Sequence, residues 1–388
     1  ALAFMIGMGS GNYMTRSLGA GKRELAEQIV SIAFFTGIIM GLVITVSATF
    51  NIHRVVLLLG ATETIAPYAE AYAHYIFIAA PFMICSFIMN NLLRFQGKAS
   101  FAMVGITVGG LLNIALDPLF IFTLDMGTAG AALATGLSQF ISFCILLWMC
   151  NHQDSCISIS IRKFRPKLAI YREVLYGGIP SLGRQGIASV ATILMNFMCQ
   201  PYGDAAIAAM SIVSRFMFFI NSVIIGFGQG FQPVCSYCFG AGLYDRVKKA
   251  CWFCIRVSTI ILLVLSVISF PAARSIITLF RRNDPTVIEI GTLALRLQLI
   301  TLPLQGAVIM GNMMPQSIGY GFRATLVSTA RQGIFLIPLL TIMTYTIGLL
   351  GIQCAQPLAD IATFILSLFV IRGIFKEFPE DASSFAAQ

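Results

Sequence analysis

The feature of this chain that most restricts its fold is a series of apolar segments, each more than twenty residues long, separated by short polar connections. An α-helix rises about 1.5 Å per residue, so about twenty residues cross a hydrocarbon core about 30 Å thick. Backbone amides inside a bilayer must find partners within the protein, and a helix pairs them within one segment. The pattern therefore predicts an all-α polytopic membrane protein.

Ten complete segments and one partial segment fit this description. Residues 1–14 look like the end of a membrane helix, and 51–67 form a short amphipathic connection. Only 11% of the residues are charged, whereas soluble domains average about 25%. The complete spans are predicted at 28–50, 68–93, 101–124, 127–150, 172–200, 205–238, 247–270, 287–315, 323–346 and 349–373.

The placement of the basic residues predicts the orientation of the chain. A formal net charge of +9 would also fit a nucleic-acid-binding protein, but the Lys and Arg residues lie mainly in short connections between spans. They concentrate in alternate connections, including 16–23, 94–98, 162–172 and 246–249. Cytoplasmic loops of membrane proteins carry such an excess. We therefore expect a multi-pass protein of the inner or plasma membrane with a cytoplasmic C-terminus, and no nucleic-acid partner.

Short motifs recur at a nearly constant spacing. The turn Gly19-Ala-Gly21 recurs 221 residues later as Gly240-Ala-Gly242, and Asn90 recurs 222 residues later as Asn312. A shift that spans an even number of helices gives a parallel repeat. The sequence therefore predicts two pseudo-symmetric six-helix lobes.

The repeat also predicts the domain boundaries. The N-lobe is expected at 1–150, a cytoplasmic linker at 151–170, the C-lobe at 171–373 and a cytoplasmic tail at 374–388. By comparison with the C-lobe, the first helix and half of the second are expected to precede residue 1.

One acidic residue, Asp117, lies well inside the span at 101–124. A carboxylate at such a position costs roughly 2.5–3.5 kcal/mol, so it is a functional candidate by default. Asn113 is four residues earlier on the same helix face. Because the chain reverses near 125–127, Asp117 and Thr135 are both expected about 12 Å below one membrane face.

These three side chains supply a carboxylate, an amide oxygen and a hydroxyl, which are hard oxygen donors suited to Na⁺. A proton held on Asp117 is the other coupling ion that we consider. Pro118 removes a backbone donor and bends the helix, which frees carbonyl groups. The structural alternative is that Asp117 caps this kink and is bonded to Asn113.

Several further residues are candidates for either a cleft or a structural role. Asp360, inside the last span, is expected to pair with an intramembrane arginine. Arg184 and Arg331 each precede a glutamine, and they could line a cleft or hold helices together. Asn90 belongs to the same group as a repeated polar position. The pairs Cys235/Cys238 and Cys251/Cys254 have zinc-like spacing, but they lie in apolar spans and are expected to be packed thiols.

Several runs of this sequence also resemble those of a known protein family. The runs LNIALDPLFIF, GTAGAALATGLSQ and ARQGIFLIPLL, with the two Gly-Ala-Gly turns, are similar to the MATE (multidrug and toxic compound extrusion) transporters, in particular the bacterial DinF- and MepA-like branch. In that branch a cation site combines an Asp on the first helix, an Asn and an Asp four apart on the fifth, and a Thr on the sixth. Asn113, Asp117 and Thr135 match the last three; the first-helix Asp would precede residue 1.

The resemblance implies an antiporter driven by Na⁺ or H⁺ that exports amphipathic, cationic drugs by rocking-type alternating access. No enzymatic activity and no cofactor other than the coupling ion are expected, and the protein is expected to be a monomer. A lipid-linked oligosaccharide flippase of the same superfamily is the main alternative. An intramembrane enzyme or a channel is disfavoured, because the sequence has no clustered acidic motif and no ring of repeated polar residues.

Overall fold

The computed structural model describes residues 1–58, 65–151, 159–281 and 284–379. Within these ranges the secondary structure is helical and contains no strand. The α-helices are α1 (Leu2–Gly19), α2 (Arg23–Phe50), α3 (Ile52–Leu58), α4 (Ala66–Phe95), α5 (Ala99–Pro118), α6 (Gly127–Asn151), α7 (Leu168–Cys199), α8 (Asp204–Gly240), α9 (Tyr244–Phe280), α10 (Pro285–Thr301), α11 (Gln305–Ile318), α12 (Gly321–Thr329), α13 (Leu336–Ile347) and α14 (Leu349–Glu377).

Nine helical segments of the described chain are long and apolar enough to cross a membrane, which confirms the all-α polytopic class. The predicted span at 172–200 forms α7, a helix of 32 residues, but α7 is not among the nine. Arg184, Gln185 and Asn196 lower its mean hydropathy. The nine segments are Arg23–Phe50, Ala66–Phe95, Ala99–Thr123, Gly127–Asn151, Asp204–Gly240, Tyr244–Phe280, Pro285–Ile318, Gly321–Ile347 and Leu349–Glu377.

Two of the predicted spans are interrupted helices. The span predicted at 287–315 consists of α10 and α11, joined by a 3₁₀ turn at Leu302–Leu304. Pro303 lies in this turn and cannot donate a backbone hydrogen bond, so the regular α pattern stops there. The span predicted at 323–346 consists of α12 and α13, joined by a π-helical segment at Ala330–Phe335.

The chain divides into two compact units. The first unit is Leu2–Gly178, and the second unit begins at Ile179 and also takes in Ala1. The division falls within α7. Of the predicted linker at 151–170, residues 152–158 lie outside the described chain, and Ile161–Lys163 form a 3₁₀ turn. Residues 380–388 of the predicted tail also lie outside it.

The two units repeat the same contacts between neighbouring helices. In the first unit, Asn90 Nδ2 donates to the carbonyl oxygen of Ala102 at 2.9 Å. In the second, Asn312 Nδ2 donates to the carbonyl oxygen of Ala324 at 2.8 Å. Both members of the pair are shifted by 222 residues. The repeat predicted from the sequence is therefore also a repeat of tertiary hydrogen bonds.

A second pair of hydrogen bonds is repeated in the same way. Thr15 Oγ1 donates to the carbonyl oxygen of Phe95 at 3.0 Å, and Ser236 Oγ donates to that of Ser317 at 3.1 Å. The turns also correspond, because they place glycines with positive φ at matching positions. These glycines are Gly21 and Gly242 (φ 73° and 74°), Gly97 and Gly319 (81° and 93°), and Gly127 and Gly348 (54° and 67°).

Candidate functional site

Asp117 lies where α5 gives way to a different helical geometry. Helix α5 ends at Pro118, and the chain continues as a π-helical segment at Leu119–Thr123. Its wider turns are visible in the bond from the Leu124 amide to the Leu119 carbonyl oxygen, at 3.0 Å. Such π-helical turns often occur at functional sites. Here the segment leads directly to the chain reversal, where Asp125 has a φ of 51°.

Close packing of α6 against this segment sets the depth of Thr135. A Cβ atom added at Gly130 would lie only 2.7 Å from the carbonyl oxygen of Phe120. Glycine therefore allows the first turn of α6 to approach the backbone of the π-helical segment. Thr135 follows on α6, at the level of Asn113 and Asp117.

The structure brings the three predicted cation ligands together. Asn113 Nδ2 lies 3.3 Å from Asp117 Oδ1 and 3.4 Å from Thr135 Oγ1. Thr135 Oγ1 donates its own proton to the carbonyl oxygen of Ala131 at 3.0 Å. The lone pairs of the Thr135 hydroxyl are therefore free to face the Asn113 amide. All three side chains belong to half-buried residues.

The charge of Asp117 is not compensated within this cluster. Among the described residues, Asn113 is its hydrogen-bond partner, and no Lys, Arg or His forms an ion pair with it. Both distances are longer than the roughly 2.7–3.2 Å of ordinary N–H···O bonds, so the two bonds made by the amide are weak. A half-turn of the Asn113 amide would place its oxygen where its nitrogen now lies. A cation bound between the three side chains would then contact oxygens of Asp117, Asn113 and Thr135.

Asp360, the other deep acid, has a contrasting environment. It is fully buried on α14, and Arg331 Nε lies 2.7 Å from its Oδ1. Gln356 Nε2 donates to Oδ1 at 3.0 Å, and Gln305 Nε2 donates to Oδ2 at 2.9 Å. The structure thus places Asp360 against an intramembrane arginine, with both carboxylate oxygens accepting hydrogen bonds.

Sequence reasoning missed the two glutamines at this ion pair. Gln356 is four residues before Asp360 and so lies on the same helix face, which is a signal that could have identified it. Gln305 comes from α11, at a sequence separation of 55 residues. Nothing in the local sequence predicts that contact.

The remaining candidates, Arg184 and Asn90, contact polar groups of neighbouring helices. Arg184 Nη1 lies 3.5 Å from Asn312 Oδ1, which connects α7 to α11. Asn90 donates to the backbone of α5, as described above, and among the described residues no hydrogen bond joins it to Asn113, Asp117 or Thr135. The structure therefore gives Asn90 a role in packing α4 against α5.

The four cysteines with zinc-like spacing lie in a hydrophobic core of the second unit. Cys235, Cys251 and Cys254 are buried there, with Cys238 packed against them. All four are free thiols. Within the part of the chain that the structure describes, no group of three or more His, Cys, Asp or Glu side chains is placed to hold a metal ion.

Comparison with known proteins identifies the family. A protein-family model, MatE, matches residues 1–119 and 180–342. The chain belongs to the MatE family. Since these matches cover both compact units, membership does not depend on one unit alone. Family membership and the candidate spans together show that the chain is a multi-pass membrane transporter.

Curated relatives of this MatE protein include the multidrug export protein MepA of two staphylococci. The protein from Staphylococcus saprophyticus is 28% identical over 370 residues, covering 95% of this chain and 81% of the relative. The protein from Staphylococcus haemolyticus is 27% identical over 384 residues, covering 99% of this chain and 84% of the relative.

Solved structures agree with the fold. A crystal structure of MATE in complex with MaL6 matches with a TM-score of 0.91 at 24% identity, covering 97% of this chain and 85% of that one. A MOP superfamily transporter from Pyrococcus furiosus matches with a TM-score of 0.89 at 26% identity, covering 97% and 84%. The helical arrangement of this chain is thus that of known MATE structures.

Proposed function

We propose that this MatE protein exports amphipathic, cationic organic compounds in exchange for Na⁺ or H⁺ moving inward. Family membership supports transport, and the names of the staphylococcal relatives support multidrug export. The coupling ion is inferred from the site itself. The observation that carries it is the cluster of Asp117, Asn113 and Thr135, in which a carboxylate without a cationic partner lies beside two neutral oxygen donors.

The chemistry of the cluster suits a small cation. Asp117 supplies the negative charge, while Thr135 and the turned amide of Asn113 supply neutral oxygens, which is the ligand type that hard cations prefer. If the coupling ion is H⁺, it binds to Asp117 directly. In either case the charge of Asp117 is neutralised next to the π-helical segment at 119–123.

Neutralisation gives a physical route from ion binding to conformational change. An uncompensated carboxylate in a membrane span favours hydration, whereas the neutralised site favours closure around the ion. The two parallel repeats would then rearrange by rocking-type alternating access. The excess of basic residues in alternate connections supports a cytoplasmic C-terminus and export toward the opposite side.

The test is efflux of a cationic dye from vesicles that contain the full-length protein, with Na⁺ and pH gradients imposed separately. We expect one gradient to drive efflux and Asp117→Asn to abolish that dependence while membrane insertion is retained. Asp125→Asn is a matched control, because it removes the same charge from the neighbouring turn, where Asn tolerates the positive φ. Wild-type coupled export by Asp117→Asn would contradict the assignment.

A further inference from the structure

The guanidinium of Arg331 is held in place by Asp360, but among the described residues only one of its three nitrogens has a hydrogen-bond partner. Its Nε donates to Asp360 Oδ1, and 24% of the side chain is exposed. Among the described residues, its two Nη groups have no hydrogen-bond or ion-pair partner. The carboxylate of Asp360 is immobilised by two glutamines as well. Asp360 therefore orients Arg331 and leaves the Nη edge available.

A second arginine of the same unit lies on α7, which approaches the segment around Arg331 at two positions. A Cβ atom at Gly183 would lie 3.2 Å from Thr329, and one at Gly333 would lie 3.2 Å from Ile187. Gly183 of α7 thus faces the Thr329 side chain, and the Ile187 side chain faces Gly333, on either side of Arg331 in the sequence. Arg184 belongs to this part of α7.

The charge of Arg184 is not compensated by an acidic side chain of the described chain. The partner of Arg184 is the Asn312 amide oxygen at 3.5 Å, and no carboxylate pairs with it in the described ranges. Asp360 compensates Arg331 alone. A guanidinium inside a membrane span, such as that of Arg331 in Gly321–Ile347, is costly and is usually either paired or functional. The ion pair with Asp360 uses Nε and does not account for the free Nη edge of Arg331.

We propose that the second unit carries an anion-accepting subsite, in which Arg331 binds the carboxylate or phosphate group of an amphipathic molecule. A guanidinium presents parallel N–H donors that match these groups in geometry as well as charge. Asp360 is the positioning residue. This inference rests on the proposed export function and deepens it, because it adds compounds with an acidic group to the substrate class.

The test is equilibrium binding to full-length protein in a non-ionic detergent, followed by fluorescence anisotropy. The probes are a xanthylium dye with a free carboxylate and its ethyl ester, which share the same cationic ring. We expect the wild type to bind the acid about tenfold more tightly than the ester, because a hydrogen bond between charged groups is lost in the ester. Arg331→Gln should remove that preference.

Two further variants separate binding from folding. Arg331→Gln leaves Asp360 without its cation, so the double variant Arg331→Gln/Asp360→Asn, which has no uncompensated charge, should also lack the preference. Arg296→Gln is the matched control: Arg296 is exposed in the same unit and stacks over Phe270 at 5.5 Å, and its removal should leave the preference intact.

Addition of phosphatidylglycerol distinguishes the two sources of the anionic group. If lipid phosphate is the natural occupant, the added lipid should weaken binding of the acid dye to the wild type. If an organic substrate is the occupant, the affinity for the acid dye should be unchanged.

Equal or undetectable binding of the two dyes by the wild type would overturn the proposal, as would a preference that survives in both Arg331 variants. The assay uses no ion gradient, so its failure and a failure of coupled efflux are separate results.

Discussion

Arg331 on the π-helical segment at 330–335 lies 2.7 Å from Asp360 on α14, measured from Nε to Oδ1. Asp360 and Asp117, the two acids deep within spans, therefore differ in how their charge is compensated. The charge of Asp360 is compensated by an arginine and two amides, whereas Asp117 has no cationic partner among the described residues. The proposed cation site is therefore assigned to Asp117, whereas Asp360 orients Arg331.

The first prediction concerns the stability of the Arg331–Asp360 pair. Removing one member of a buried ion pair costs about 3–5 kcal/mol, because the other charge is left uncompensated. We expect Asp360→Asn to lower the free energy of unfolding by about 3 kcal/mol, at the lower end of that range, because Arg331 is 24% exposed. The thermal unfolding midpoint of the purified protein measures the effect.

The double variant Arg331→Gln/Asp360→Asn is the control for this prediction. Replacing both members with neutral groups removes the uncompensated charge, so the midpoint should return most of the way to the wild-type value. A double variant as unstable as Asp360→Asn alone would show that charge compensation is not what the pair provides.

The second prediction concerns the glutamines beside the same carboxylate. Gln305 is 1% exposed and donates to Asp360 Oδ2 at 2.9 Å. A hydrogen bond to a charged group contributes about 1.5–3 kcal/mol, so Gln305→Leu should lower the midpoint clearly. Gln356→Leu should have a smaller effect, since Gln356 is half-buried and Arg331 also donates to the same oxygen, Oδ1. Equal midpoints for Gln305→Leu and the wild type would disprove this role.

The third prediction concerns the Thr135 hydroxyl in the cluster of Asp117, Asn113 and Thr135. Thr135→Val keeps the shape of the side chain but removes the oxygen that lies 3.4 Å from Asn113 Nδ2. The concentration of Na⁺ or H⁺ that gives half-maximal efflux should rise about tenfold, which corresponds to the loss of about 1.4 kcal/mol of binding free energy. Thr135→Ser, which keeps the hydroxyl, should stay close to the wild type. An unchanged ion dependence in Thr135→Val would remove Thr135 from the site.

The grouping of Asn113, Asp117 and Thr135 could be predicted because few physical quantities determine it. The bilayer thickness fixes the length of each span, and the turn at 125–127 fixes the relative depth of two consecutive helices. A four-residue spacing then places Asn113 on the same face as Asp117. Local sequence and helix geometry are sufficient for this result.

Other features depend on contacts that the sequence does not reveal. The partner of Asp360 could have been any of several intramembrane arginines, and only the packing of α14 against the segment at 330–335 selects Arg331. The sequence also predicts a bend at Pro118, but not the π-helical segments at Leu119–Thr123 and Ala330–Phe335.

The last prediction tests whether close packing of α6 against the π-helical segment at 119–123 determines the geometry of the cluster of Asp117, Asn113 and Thr135. A methyl group at Gly130 would lie 2.7 Å from the Phe120 carbonyl oxygen and 2.9 Å from Met126 Cβ, so Gly130→Ala must displace α6 from the π-helical segment. Such overpacking costs about 1–3 kcal/mol, and it should also weaken ion dependence because Thr135 moves with α6. Gly110→Ala is the control: it lies on α5 with nothing within 4 Å of the added group, and it should leave both the unfolding midpoint and the ion dependence of efflux unchanged or slightly improved. If Gly130→Ala lowered the midpoint but left the ion dependence unchanged, the position of Thr135 would not depend on this contact.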